Sequence, residues 1–327
     1  MNKIRESEVD YSVVIPVYYN EGLLTETMNT IKNDVIARNP DLSCEVIFVD
    51  DGSGDGSFGE LLKIYEENIK TVKVIKLTRN FGQVNALHAG FSYAHGKCII
   101  AISADGQDPP VLINDMLKAY FQEHFEIVAC ERQSRDESLY RSLTSKIFYA
   151  MIKKLSFQNM PIGGFDFILL GRRVIDILIK NREAHSFLQG QILWTGFKTK
   201  FIKYERKKRK MGTSRWTFGK KLTYLIDGVM SYSFFPIRLI SLIGIIFAFL
   251  GFFYAIFIFF FKIIGGIPIK GWAPIMIILL VVAGIQMLML GIIGEYLWRT
   301  LAQVRYRDPF IIEAIYDDSK STDMDAA

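Results

Sequence analysis

Carboxylate and amide side chains recur just after short apolar runs in the first part of the chain. Pro16-Val-Tyr18-Tyr-Asn20-Glu21 follows one run, and Asp50-Asp51-Gly-Ser-Gly-Asp-Gly-Ser57 follows a second. Thr78-Arg79-Asn80-Phe81-Gly82-Gln83 follows a third, Ser103-Ala-Asp105-Gly-Gln107-Asp108-Pro-Pro110 a fourth, and Glu131-Arg132-Gln-Ser-Arg135 a fifth. The paired carboxylates at Asp50 and Asp51 suit the ribose hydroxyls and base N–H groups of a nucleotide, whose hydrogens they can accept. Asp105 is the candidate ligand for a hard divalent cation, Mg²⁺ or Mn²⁺. Such an ion needs only one or two carboxylates when substrate phosphates and waters supply its other ligands. Its task would be to neutralise a departing nucleoside diphosphate as Lewis acid and template. An aspartate after a strand also serves as a turn residue or helix cap, and Asp108, just before Pro109-Pro110, is placed to be one.

Other chemistries are excluded by spacing. Gly52, Gly54 and Gly56 lack the GxGxxG pattern, follow the second run rather than the first, and adjoin aspartates that would repel a pyrophosphate. No GxxxxGK[ST] is present, which removes P-loop chemistry. The 4 histidines form no HExxH, and Cys44, Cys98 and Cys130 lie in or beside apolar runs without CxxC spacing. They read as buried reduced thiols rather than metal or disulfide partners.

Strands must carry these loops. Ser12–Val17, Glu45–Val49, Val72–Leu77, Cys98–Ser103 and Ile127–Cys130 are β-rich, and Leu23–Val35, Phe58–Ile69, Gly82–Ala94 and Val111–Gln122 read as helices between them. Runs such as SVVIPV are apolar on both faces, as strands buried within a parallel sheet are. Strict alternation of strand and helix predicts an α/β, doubly wound, mostly parallel sheet. Ligands bind such sheets outside the carboxyl ends of the strands, where the polar loops fall.

The composition is uneven along the chain. Of 39 Lys/Arg, eleven lie between Lys198 and Lys221 against one acid, Glu205, so 28 basic and 33 acidic residues of the 34 remain elsewhere. A basic segment on an acidic protein seeks an anionic surface, and two long apolar runs on its C-terminal side select a membrane over nucleic acid. Leu239–Phe261 and Gly271–Gly294 are uncharged and long enough to span a bilayer. Arg238 and the basic segment flank one end of this pair, and Arg299, Arg305 and Arg307 the other, which predicts both termini in the cytoplasm. Met1–Tyr11 has no apolar h-region of a signal peptide. Trp216–Pro236 places Phe218, Leu222, Leu225, Ile226 and Val229 at helical spacing, as in a helix lying in the membrane interface; a helix packed on the globular domain is the alternative. The expected organisation is 1–212 as the globular domain, 213–236 as interfacial helices, 237–298 as a transmembrane hairpin and 299–327 as a cytoplasmic tail.

From VVIPVYYNE at Val13–Glu21 to GEYLWR at Gly294–Arg299, nearly the whole chain resembles family 2 glycosyltransferases of the GT-A fold. Within these it is similar to the polyprenyl-phosphate group, which is dolichol-phosphate-mannose-synthase-like and has bacterial GtrB- and ArnC-type members. FVDDGSGDGS, LTRNFGQVNALHAGF, DGQDPP and RKMGTSRW carry the likeness together with the twin spans. The resemblance implies that Pro16, Tyr18, Glu21, Asp50, Asp51 and Gln83 bind the nucleotide, and that Asp105 and Gln107 hold the metal and diphosphate. It implies phosphate or acceptor contacts for Arg132, Arg135, Arg206, Arg209 and Ser214, and a catalytic or positioning role for Asp166 beside Asp105. Two positions depart from the family pattern: Ser103 stands where an aspartate is usual, and Ile168 where Asp-Phe-Arg-Leu has arginine. The implied activity is inverting transfer of one sugar, from a donor expected to be UDP-linked, to undecaprenyl phosphate at the bacterial inner membrane. The product would be a lipid-linked sugar for cell-envelope glycan modification, and the family suggests a tetramer. A processive polysaccharide synthase lacks support because no QxxRW occurs and two spans are too few for a polymer channel. A degenerate scaffold is the reading that Ser103 and Ile168 would favour.

Overall fold

The computed structural model describes residues 9–132, 160–161, 164–181, 183, 187–206, 227, 230, 233, 235–265, 272–305 and 307–318. Eight strands form one sheet: β1 Tyr11–Val17, β2 Cys44–Asp50, β3 Val72–Leu77, β4 Cys98–Ala101, β5 Ile127–Arg132, β6 Ile168–Gly171, β7 Thr199–Tyr204 and β8 Ile312–Tyr316. Their order is β7-β5-β6-β4-β1-β2-β3-β8. β1 pairs in parallel with β2 and β4, β2 with β3, and β5 with β7, whereas β6 runs antiparallel between β4 and β5. The five strands expected from apolar runs are present to within a few residues. β6, β7 and β8 are additional to them.

Helices cover both faces. On one side α1 (Leu24–Asp34), α2 (Ser57–Glu67) and α4 (Leu112–Phe121) bury Leu24, Met28, Ile31, Leu61, Ile64, Ile113 and Met116 with Val13, Ile15 and Phe48 of the sheet. On the other, α3 (Gln83–Tyr93) lies so close to β1 and β2 that a Cβ on Gly90 would sit 2.3 Å from Val14 Cγ1. Glycine there is a packing requirement. α5 (Arg172–Lys180) follows β6, and α6 (Leu188–Trp194) precedes β7.

At the amino ends of the strands, Glu45 is 4% exposed, accepts hydrogen bonds from Ser12 Oγ and the His95 N–H, and pairs with Lys73 Nζ at 3.2 Å. Burial pushes its pKa up, but these partners outweigh burial and hold it below the usual carboxylate range. The opposite, carboxyl-end edge carries the polar loops. Strand succession turns back at β1, because β2 and β3 lie on one side of it and β4 on the other. Pairing of β1 with β4 stops at Val14↔Ala101, and Pro16 beyond it has no N–H to extend a ladder. A switch point of this kind opens a crevice for ligands.

β8 lies within the stretch 299–327, expected as a cytoplasmic tail. It pairs antiparallel with β3, and the Thr78 N–H donates to Ile311 O at 3.0 Å. Lys76 Nζ meets Glu313 Oε1 at 2.7 Å, Lys73 Nζ meets Asp317 Oδ2 at 3.0 Å, and the Tyr316 ring lies against Phe58 and Tyr65. β8 thus covers what would be an exposed strand edge. The chain accordingly divides into Met1–Leu222 with Asp308–Ala327, and Thr223–Arg307.

The second unit contains α7 (Phe235–Gly265, 31 residues) and α8 (Trp272–Val304, 33 residues). Both are long and apolar enough to cross a bilayer. Their apolar side chains are exposed, among them Phe249, Phe253, Leu288 and Leu290, which fits lipid as the solvent. Arg299 Nη2 bridges Asp227 Oδ1 and Glu295 Oε1, each at 2.8 Å. Most of the stretch expected as interfacial helices, 213–236, lies outside the described residues.

Candidate active site

Two groups of polar residues line the carboxyl-end edge. The first is built by the loops after β1, β2 and β3. Asn20 Oδ1 accepts the Tyr18 N–H, Ser53 Oγ accepts the Tyr19 N–H, and Ser57 Oγ accepts the Asn20 N–H. Tyr19 is thereby held at φ 56 and is 40% exposed. Glu21 Oε2 accepts the Gly56 N–H at 2.9 Å, and a Cβ at Gly56 would collide with the same carboxylate. Glu21 therefore fastens the loop after β1 to the loop after β2. Gln83 is exposed in the first turn of α3.

Asp50 and Asp51 behave differently from each other. Asp51 Oδ1 accepts the Phe81 N–H at 2.7 Å, and its Oδ2 accepts the Gly82 N–H at 2.9 Å and Asn80 Nδ2 at 3.0 Å. Its carboxylate organises the 80–82 loop. Burial drives its pKa up to about 6 against the pull of those N–H groups. Asp50 is fully buried, accepts the Ser53 N–H at 3.3 Å through Oδ1, and leaves Oδ2 buried with no hydrogen-bond partner among the described residues. Burial raises its pKa too. Of the pair, Asp50 has the acceptor to spare for a ligand.

The second group is a chain of alternating charges at the ends of β4, β5 and β7 and the start of β6. Antiparallel β6 begins at the edge where its neighbours β4 and β5 end, which brings Asp166 beside Arg132. Arg132 Nη2 lies 2.6 Å from Asp166 Oδ2, and Gln189 Nε2 of α6 reaches Asp166 Oδ1 at 3.0 Å and Phe165 O at 2.7 Å. Burial works against the Arg132 charge, but Asp166, Asp108 and Tyr204 outweigh it and hold the guanidinium protonated. Asp105 Oδ1 accepts the Gln107 N–H at 3.2 Å, and its Oδ2 lies 3.6 Å from Arg206 Nη2. Arg206 Nε also lies 3.1 Å from Asp108 Oδ1, which accepts the Tyr204 hydroxyl as well.

Asp108 is not a helix cap. α4 begins at Leu112 behind Val111, with no side-chain cap. Asp108 instead has a fully buried side chain, with Oδ2 lacking a partner among the described residues. Tyr204 and Gln189 join the site from elements the sequence did not disclose. Ser103 Oγ accepts the Asp105 N–H at 3.4 Å, and Ile168 is a sheet residue 1% exposed. Arg135, Arg209 and Ser214 lie outside the described residues.

Polar loops, carboxylates and guanidiniums thus share the carboxyl-end edge of an open α/β sheet, the edge where such sheets bind ligands. The model of "Glycosyl transferase family 2" matches residues 12–178, and the chain belongs to that family. It is 32% identical to an uncharacterized glycosyltransferase of Synechocystis over 94% of this chain and 96% of that one. It is 30% identical to the undecaprenyl-phosphate 4-deoxy-4-formamido-L-arabinose transferase of Photorhabdus laumondii, over 95% of this chain and 96% of the relative. With a prophage bactoprenol glucosyl transferase homolog of Escherichia coli it shares 28% identity over 93% and 98%.

Proposed function

We propose that this glycosyltransferase moves one sugar from a UDP-linked donor to undecaprenyl phosphate at the cytoplasmic face of the membrane. The observation that carries this reading is end-to-end similarity, sheet and hairpin together, to transferases named for bactoprenol or undecaprenyl phosphate. The two bilayer-length helices give a lipid acceptor a place to reside, and the positive flanks orient both termini inward.

In the proposed reaction an oxygen of the lipid phosphate attacks the anomeric carbon in line. The bond from that carbon to the nucleoside diphosphate breaks, so the anomeric configuration inverts. A phosphate monoester with a second pKa near 6 is already mostly dianionic at neutral pH. No proton need be removed, and the protein's work is orientation and relief of repulsion. Arg132 and Arg206 supply the fixed positive charge, with fork geometry suited to phosphate oxygens. Asp166, clamped by Arg132 and Gln189, orients the Arg132 fork. Asp50 receives a donor hydrogen of the nucleotide at its unpartnered Oδ2.

The residues fit a hard divalent cation. Asp105 has a side chain 11% exposed at the strand end, and Asp108 Oδ2 is a buried acceptor three positions on. With diphosphate oxygens and water these satisfy Mg²⁺ or Mn²⁺. When bound, the ion would stabilise charge on the departing diphosphate.

The test is incubation of the purified full-length protein with undecaprenyl phosphate, Mg²⁺ and a panel of nucleotide sugars, read by mass spectrometry of the lipid. A lipid heavier by one sugar is expected. Chains of several sugars would identify a processive synthase, and no product with any donor a scaffold. Full activity in Asp105→Ala would remove Asp105 from the site.

A further inference from the structure

Both arginines of the second group already have acidic partners. Arg206 spans Asp105 at 3.6 Å and Asp108 at 3.1 Å, while Arg132 holds Asp166 at 2.6 Å. Arg206 thus stands between the two carboxylates a cation would use, and its side chain is only 27% exposed. Asp108 carries the sharper demand. Its side chain is 0% exposed, and Oδ2 has no partner among the described residues. A buried carboxylate needs a nearby positive charge; Arg206 Nε is in direct contact with Asp108, and Arg132 adds its attraction from further off.

Among the described residues of this group, Asp105, Asp108 and Asp166 against Arg132 and Arg206 leave a net charge of minus one. A donor diphosphate alone would add two negative charges, and a divalent cation alone would crowd two positive charges onto carboxylates that Arg206 already neutralises. Donor and cation together leave the balance unchanged. Arg206 can then turn from carboxylate to phosphate, a partner with better fork geometry.

We propose that Arg206 is the resident counter-ion of the Asp105–Asp108 pair and releases it only to a divalent cation that arrives with a nucleoside diphosphate. Metal and donor therefore bind cooperatively, each strengthening the other by the same factor. This rests on reading the edge as a nucleotide-sugar site, and it is tested without sugar transfer.

Mn²⁺ binding to the full-length protein in detergent is followed by electron paramagnetic resonance, with no lipid acceptor. UDP or GDP should strengthen wild-type Mn²⁺ binding about tenfold, within the usual span for coupled sites. Arg206→Gln should bind Mn²⁺ about tenfold tighter than wild type without nucleotide, and lose most of the enhancement. Adding Asp105→Asn to that variant should abolish the gain. Should Arg206→Gln not fold, Arg206→Lys keeps the charge but cannot bridge both carboxylates, and a smaller gain is expected. Equal nucleotide-free Mn²⁺ affinity in wild type and the folded variant, or no enhancement by either nucleotide in wild type, overturns the proposal. A protein that shows these Mn²⁺ effects yet makes no glycosyl-lipid would leave the counter-ion role standing and remove the acceptor reading.

Discussion

Replacing Asp51 with asparagine should change how stability depends on pH, with a sign opposite to that of an ordinary salt-bridged carboxylate. The Asp51 carboxyl titrates at about 6 in the fold and near 3.8 otherwise, because it is buried. Between those values the folded protein holds a proton that the unfolded chain has released. Stability from this group is therefore greatest below pH 3.8 and declines as pH rises to about 6. A shift of about two units corresponds to at most about 3 kcal/mol, at 1.36 kcal/mol per unit. Asparagine occupies the same space without titrating. It keeps one acceptor for the Phe81 or Gly82 N–H and loses the other, a pH-independent cost of about 1–3 kcal/mol. Asp10 and Glu45, whose values are lowered, titrate in both proteins and cancel in the difference. The assay is the melting temperature of wild type and Asp51→Asn from pH 4 to pH 7.5 in one detergent. The wild type should lose up to about 6–12 °C relative to the variant across that range, at about 2–4 °C per kcal/mol. A difference that stays constant with pH, or one that grows in the wild type's favour, refutes the reasoning.

Gly90→Ala should destabilise the sheet domain by about 1–3 kcal/mol, because the new methyl meets Val14 Cγ1 at 2.3 Å; thermal melts would show it, with donor KM unchanged. Gln189→Leu removes the amide that holds Asp166 and should lower kcat about tenfold to a hundredfold while leaving donor KM within twofold. Steady-state kinetics separate the two, and a rise in KM alone would count against the positioning role. Glu313→Lys sets two lysines together at β8 and β3, where Lys76 and Glu313 are 2.7 Å apart. It should loosen the strand by about 0.5–1 kcal/mol, and the exchanged pair with Lys76→Glu should recover part of the loss in hydrogen exchange at Thr78.

The sequence disclosed those parts of the fold that local pattern controls. Runs such as SVVIPV and EVIFV are apolar on both faces, so β1 and β2 are readable to within one residue. β7 is not, because its lysines make Thr199–Tyr204 look like the start of a basic membrane-facing segment. In the fold Lys200 pairs with Glu123 at 2.5 Å while Tyr204 is buried. β6 is four residues long and β8 lies beyond the second apolar helix, so neither offers a periodicity long enough to read. The site divides the same way. Asp50, Asp51, Asp105 and Arg132 can be located by their place after strands. Asp108 reads as a cap because its partners, Tyr204 and Arg206, are distant in sequence and joined to it only by the sheet. Gln189 carries no signal, since a glutamine near the start of a short apolar helix has no chemistry until Asp166 is beside it.

Both products of a single reaction give the most direct test of polyprenyl-phosphate glycosyl transfer. Purified protein, undecaprenyl phosphate, Mg²⁺ and the active nucleotide sugar would be incubated, and lipid and nucleotide measured in the same sample. The expected result is a lipid monophosphate bearing one sugar, formed in equal amount with a nucleoside diphosphate. A lipid diphosphate sugar accompanied by nucleoside monophosphate, or a lipid carrying several sugars, would contradict it.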